Sequence, residues 1–83
     1  MSYSVSILRS AQKEFAKLPQ DIYKRVCDEV RDLSQNPRPR DCKKLIARQG
    51  WRIRIGSYRV IYEINDKEKA VLILHIGHRR DVY

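Results

Sequence analysis

The chain has 83 residues, with 18 Lys and Arg against 10 Asp and Glu, a formal charge of +8. That length holds one hydrophobic core, so a single domain over residues 1–83 is expected, and the charge points to a polyanionic partner. No apolar run approaches the ~20 residues that span a bilayer and no basic-then-apolar signal segment opens the chain, so a soluble, cytoplasmic protein without a membrane role is expected.

Residues 3–8, Tyr-Ser-Val-Ser-Ile-Leu, alternate as a strand does. Ser10 then reads as an N-cap for the segment AQKEFAKL, in which Ala11, Phe15 and Leu18 recur on one helical stripe. Pro19 suits the first turn of a second helix, whose apolar face is Ile22, Val26, Val30 and Leu33, with Cys27 beside it. Ser34 to Pro37 closes that helix. Cys27 and Cys42 lie outside any CxxC or Cys/His cluster, which favours two reduced thiols and argues against a metal site.

The connector Arg38–Gln49 is polar and basic, with Leu45 and Ile46 as a small anchor. Next comes GWRIRIGSYRVIY, residues 50–62, which reads as a β-hairpin turning at Gly56-Ser57. In that register Ile55 pairs with Tyr58, Arg54 with Arg59, Ile53 with Val60 and Trp51 with Tyr62. Side chains alternate across a strand, so Trp51, Ile53, Ile55, Tyr58, Val60 and Tyr62 share an apolar face. Arg52, Arg54 and Arg59 share the other. Like charges opposed on a sheet repel, so three arginines there make sense if an anion fills the space between them.

Asn65 to Lys69 is a polar turn. Ala70–Ile76 is a nearly continuous apolar run that suits a central strand covered on both faces, with Gly77 breaking it before a tail, His78 to Tyr83. His75, alternating with Val71 and Ile73, reads as a buried structural histidine. The order βααβββ implies an α+β fold: a two-helix hairpin on one face of a small, mostly antiparallel four-stranded sheet, with the arginine face turned away.

The charge is concentrated. Between Arg38 and Arg59 stand Arg38, Arg40, Lys43, Lys44, Arg48, Arg52, Arg54 and Arg59 against Asp41 alone. Such a field suits nucleic acid.

The run WRIRIGSYRVIYEI followed by VLILHIGHRRDVY resembles the RelE branch of the RelE/ParE toxin superfamily, and the likeness extends over essentially the whole chain, the SAQKEFAKLP segment included. The resemblance implies a type II toxin that enters the ribosomal A site and cleaves mRNA through attack of a 2′-hydroxyl on the adjacent phosphate. It implies no cofactor and no metal. Implied partners are a cognate RelB-like antitoxin, the 70S ribosome with its rRNA, mRNA, and operator DNA for the toxin–antitoxin complex. Carried over by position, Arg52 and Arg54 match the paired basic residues of the first hairpin strand, Arg59 the arginine of the Tyr-Arg step, Arg79 the arginine after the Gly-basic pair, and Tyr83 the terminal tyrosine.

Cleavage of this kind needs a base, charge stabilisation at phosphorus and an acid for the leaving oxygen. Arginine's planar fork suits the phosphate, a role given to Arg59, while Arg79 suits the leaving oxygen. A guanidinium does not release its proton in proteins, so Arg52 and Arg54 are poor bases and Tyr83 is the leading candidate. His78, Lys43 and Lys44 are the alternatives. Arg38, Arg40, Lys43, Lys44, Arg48 and Arg80 are expected to contact ribosome RNA, with Arg80 and Asp81 also able to pair at the surface. Two other readings use the same fold: a ParE-like inhibitor of DNA gyrase, and a catalytically silent co-repressor module.

Overall fold

The computed structural model describes residues 2–46 and 49–78. In chain order the elements are β1 (Ser4–Ile7), α1 (Arg9–Ala16), α2 (Gln20–Leu33), β2 (Lys43–Lys44), β3 (Trp51–Ile55), β4 (Tyr58–Asn65) and β5 (Ala70–His78). The strands form one sheet in the order β1-β5-β4-β3-β2, with β1 parallel to β5 and the other neighbours antiparallel. The α+β architecture is as expected, with five strands instead of four. The extra strand is β2, a two-residue rung inside the connector, pairing Lys43 with Arg52 and Lys44 with Trp51. So short a strand leaves little periodicity to read.

The strand-to-helix junction is set by the sheet. Leu8 N–H donates to the Ile73 carbonyl (3.0 Å), which ends β1 and leaves Leu8 extended (φ −56°, ψ 148°) as the residue flanking α1. Ser10 therefore lies inside the helix and is not its cap. Instead, the Gln12 side chain reaches back to the Ile7 carbonyl at 2.9 Å. Pro19 sits one position before α2, its carbonyl accepting the Tyr23 N–H at 2.8 Å. Proline is well suited there, because its fixed φ directs the chain into the helix.

The helical stripe of α2 meets one face of the sheet as its spacing requires. Val26, Val30 and Leu33 are buried against Ile53, Ile55, Val60, Tyr62, Val71, Ile73 and Ile76, with Ala11 of α1 beside them. Each fully buried aliphatic side chain contributes roughly 1.5–3 kcal/mol, so this single layer carries most of the stability. Phe15, Leu18, Ile22, Trp51 and Ile64 are partly buried around it.

The hairpin has the anticipated register, rung for rung. Gly56 takes φ +61°, the left-handed value a two-residue turn requires at its first central position. Strand β5 is central but departs from its reading in three respects. Helices cover one face only, leaving Leu72 and Leu74 half-buried on the other. A bulge opposite the Ile61/Tyr62 step pairs Ile61 with His75 and Tyr62 with Ile73, so Leu74 is the extra residue. The bulge shifts the phase, so Ile76 enters the core and the side chain of His75 stays 45% exposed, 3.8 Å from Glu14. Gly77 does not break the strand; it pairs with Arg59, and β5 runs on to His78. Beyond the end of β1, the Ile76 N–H is satisfied by Glu14 Oε1 at 3.0 Å.

In the connector, Leu45 is buried whereas Ile46 is fully exposed, so the anchor is one residue and not two. Gly50 lies under it at φ +134°, where an added Cβ would meet Leu45 Cδ1 at 3.1 Å and the Tyr62 carbonyl oxygen at 3.3 Å. Tyr62 is fully buried and donates its hydroxyl to the Pro37 carbonyl at 2.8 Å. Burial, with the Cys42 thiol beside it, pushes its pKa well above the ordinary phenol value. Cys27 and Cys42 are free.

Candidate functional site

Arg52, Arg54 and Arg59 alternate with core residues along β3 and β4, so the packing that buries Ile53, Ile55 and Val60 turns all three to the open face of the sheet. Arg54 stands directly across from Arg59, and Lys43 on β2 directly across from Arg52. A second rule of the register matters as much. Arg59 is flanked on its other side by Gly77, which carries no side chain to fill the open face next to the guanidinium. Arg59 is half-buried, its Nε withdrawn from water, whereas Arg54 is exposed.

Arg40, Asp41, Lys43, Arg52 and Arg54 line a hollow of about 420 Å³ on this face. Four cations surround one carboxylate here: Lys43, Arg52 and Arg54 are held by strand pairing, and Arg40 with Asp41 by the turn that precedes β2, an arrangement suited to an anion. Planar guanidinium forks can take a phosphate through paired oxygens. Ile61 is buried on the same face, between the Arg52 and His75 positions, and gives the arginine rows an apolar floor.

Other expected residues lie elsewhere. Arg38 belongs to a different cluster, donating to both oxygens of Asp66 (3.1 and 2.7 Å) with its guanidinium 5.1 Å from the Trp51 ring centroid. Asp66 also accepts from the Tyr3 hydroxyl at 2.8 Å. The Arg38 contact, then that of Tyr3, hold the Asp66 carboxyl down at about 2. Sequence gave no cue to this cluster, since Asp66 lies far along the chain from Arg38 in an unremarkable polar turn. Lys44 is exposed on the outer strand beside this second cluster, one residue from the arginine hollow. His78 pairs with Tyr58 and contacts its ring edge-on at 5.6 Å, on the side of the strand opposite to Arg59. Strand alternation thus separates His78 from the arginine face. Arg48, Arg79, Arg80 and Tyr83 lie outside the described residues.

Comparison with known proteins agrees with this geometry. Residues 5–83 match the family described as the ParE toxin of type II toxin-antitoxin systems. Toxin RelG of Mycobacterium tuberculosis is 33% identical over 86 aligned positions, covering 100% of this chain and 98% of that protein. Among solved structures, the archaeal RelE–RelB complex from Pyrococcus horikoshii contains a chain similar to this one with a TM-score of 0.85 and 35% identity, over 95% of this chain and 97% of that one. The toxin–antitoxin complex RelBE2 of Mycobacterium tuberculosis gives 0.83 and 33%, over 95% and 100%. The arginine-bearing hairpin, the two-helix layer and these matches along nearly the whole length agree: the chain belongs to the RelE branch of the RelE/ParE toxin superfamily.

Proposed function

We propose that this toxin acts in the cytoplasm by entering the ribosomal A site and cleaving the mRNA there as a metal-independent endoribonuclease. The observation that supports this reading is the arginine face, on which strand register fixes Arg52, Arg54 and Arg59 together and places Arg52 and Arg54 in the wall of a hollow of about 420 Å³. In this reading Arg59 receives the scissile phosphate and stabilises the charge that builds on its oxygens. Arg52 and Arg54 hold the flanking backbone and favour the departing charge. Tyr83, as a phenolate favoured by the arginines, takes the proton from the attacking 2′-hydroxyl, the phosphorus–5′-oxygen bond breaks with Arg79 serving the leaving oxygen, and a 2′,3′-cyclic phosphate remains. Arg40, Lys43, Lys44, Arg48 and Arg80 supply ribosome contacts through their charge.

The relatives from Pyrococcus and Mycobacterium occur in complexes with their antitoxins. By extension, a cognate RelB-like antitoxin neutralises this chain, and the pair binds operator DNA. The test is cleavage of a defined mRNA by the purified chain, with and without ribosomes paused at a known codon. Cuts within the A-site codon that require ribosomes are the expected result; an intact message from folded protein overturns the reading. Because the matching family carries the ParE name, gyrase inhibition is the second reading, selected by a DNA-damage response without mRNA cleavage.

A further inference from the structure

The arginine hollow is not the largest concavity on the molecule. A notch of about 730 Å³ opens where β3 ends, lined by Lys44, Gln49 and Trp51 together with Arg38, Asp66 and Lys67. Its origin lies in the register. Trp51↔Tyr62 is the last rung between β3 and β4, Gly50 turns the chain away, and β4 continues to Asn65 paired with β5 alone. The stretch Glu63–Asn65 therefore presents a strand edge to the notch, with backbone donors and acceptors at fixed spacing.

We propose that this notch is a nucleobase subsite, which receives the base next to the phosphate held by the arginine hollow and stacks it on the Arg38 guanidinium. The proposal rests on the RNA-cleavage reading and adds a specificity site to it. Three observations carry it. First, Arg38 is immobilised as a plane: Asp66 holds it through both oxygens, Tyr3 holds Asp66, and Trp51 backs the guanidinium. Its side chain nevertheless remains 42% exposed, and an exposed, fixed guanidinium plane is a stacking surface for a base. Second, Gln49, Glu63, Asn65 and the β4 edge offer both donors and acceptors to a base edge, while Lys44 and Lys67 suit the phosphates on either side. Third, the notch adjoins the hollow. Lys43 and Arg52 line one and Lys44 and Trp51 the other, on consecutive rungs of the short strand β2. These rungs turn to opposite faces, and β2 is the edge strand, so a single RNA strand wrapping that edge reaches both. A strand edge can also bind an extended peptide, but a peptide has no use for the flat cationic platform or for continuity with a phosphate receptor.

Trp51 is the sole tryptophan of the chain, so its fluorescence reports on this notch. The experiment titrates the free protein with ribotrinucleotides, and with an abasic trinucleotide of equal charge. Base-bearing trinucleotides should quench Trp51 saturably and bind about tenfold more tightly than the abasic one. Arg38→Lys, which keeps the charge and loses the plane, should remove that tenfold difference and leave abasic binding unchanged. Lys67→Ala, which spares the Arg38–Asp66 pair, should weaken both ligands equally and guards against a folding artefact. Equal binding of the abasic ligand, an unaltered preference in Arg38→Lys, or quenching by an acidic extended peptide but not by nucleotides would each overturn the subsite. The ribosome assay is read separately. Base-dependent quenching without mRNA cleavage keeps the subsite and removes the nuclease function, whereas cleavage without base-dependent quenching does the reverse.

Discussion

Two groups of basic residues lie within one short stretch of this chain, and the fold treats them in opposite ways. Arg38 is neutralised internally by both oxygens of Asp66 and is backed by an aromatic ring. Arg40, Lys43, Arg52 and Arg54 surround one carboxylate, with Arg54 set against Arg59 across the hairpin. Composition counts all these cations alike. The first group is part of the framework; in the second, Arg54 faces Arg59 across the hairpin, a like-charge pairing that an arriving anion relieves. An arginine's function therefore depends on what the fold sets opposite it, which charge density along the sequence does not reveal.

The largest effect expected from this contrast is at Arg59. Arg59→Ala should lower ribosome-dependent cleavage by about 10²–10³-fold, the usual loss for a charge-stabilising donor, while the variant still folds and binds antitoxin. Undiminished growth arrest from a stably expressed variant would remove Arg59 from the proposed site. Arg54→Gln should separate activity from stability: cleavage falls, but relief of the cross-strand repulsion raises unfolding free energy by about 0.2–1 kcal/mol, measured by urea denaturation.

On the framework side, Gly50→Ala should destabilise by about 1–3 kcal/mol, through strain at φ +134° and crowding against Leu45 and the Tyr62 carbonyl. A smaller and more diagnostic effect concerns salt. Replacing Arg40 or Lys43 by Ala should each reduce the salt slope of ribosome binding by about one, whereas Arg38→Ala should change it much less, its charge being already matched by Asp66. Equal slopes for all three would erase the distinction between the groups.

How far these features were legible in the chain follows a physical divide. The hairpin was readable rung by rung because a buried face enforces strict alternation, and a Gly-Ser turn sets where pairing begins. That alone brought Arg54 opposite Arg59. The bulge at Leu74 is not readable, since an apolar run gives no sign of which residue is the extra one, and simple alternation puts His75 in the core. Ser10 looked like a cap because local chemistry favours it, but the Leu8 hydrogen bond to β5 sets the helix start from another element. Strand β2 and the Arg38–Asp66 pair share that non-local origin. They depend on which distant segments meet, a matter of tertiary packing rather than local sequence.

The most delicate probe of the framework cluster is pH. Asp66 is held down at about 2 by Arg38 first and Tyr3 second, against an ordinary carboxylate value of 3.8. A carboxyl whose pKa is lower folded than unfolded stabilises the fold when ionised in both states. That contribution is therefore complete above about pH 4 and disappears as pH falls toward 2. Asp66→Asn should lower stability at neutral pH only slightly, since the pair is solvent-exposed, and should flatten the acid limb between pH 4 and 2. It should also free Arg38 from its plane, so Trp51 fluorescence should shift at neutral pH. The wild-type chain should show the same shift only on entering that acid window. An identical fluorescence profile in the two proteins from pH 7 to 2 would mean that Asp66 does not hold Arg38 in solution. The framework and receptor cations would then be of one kind after all.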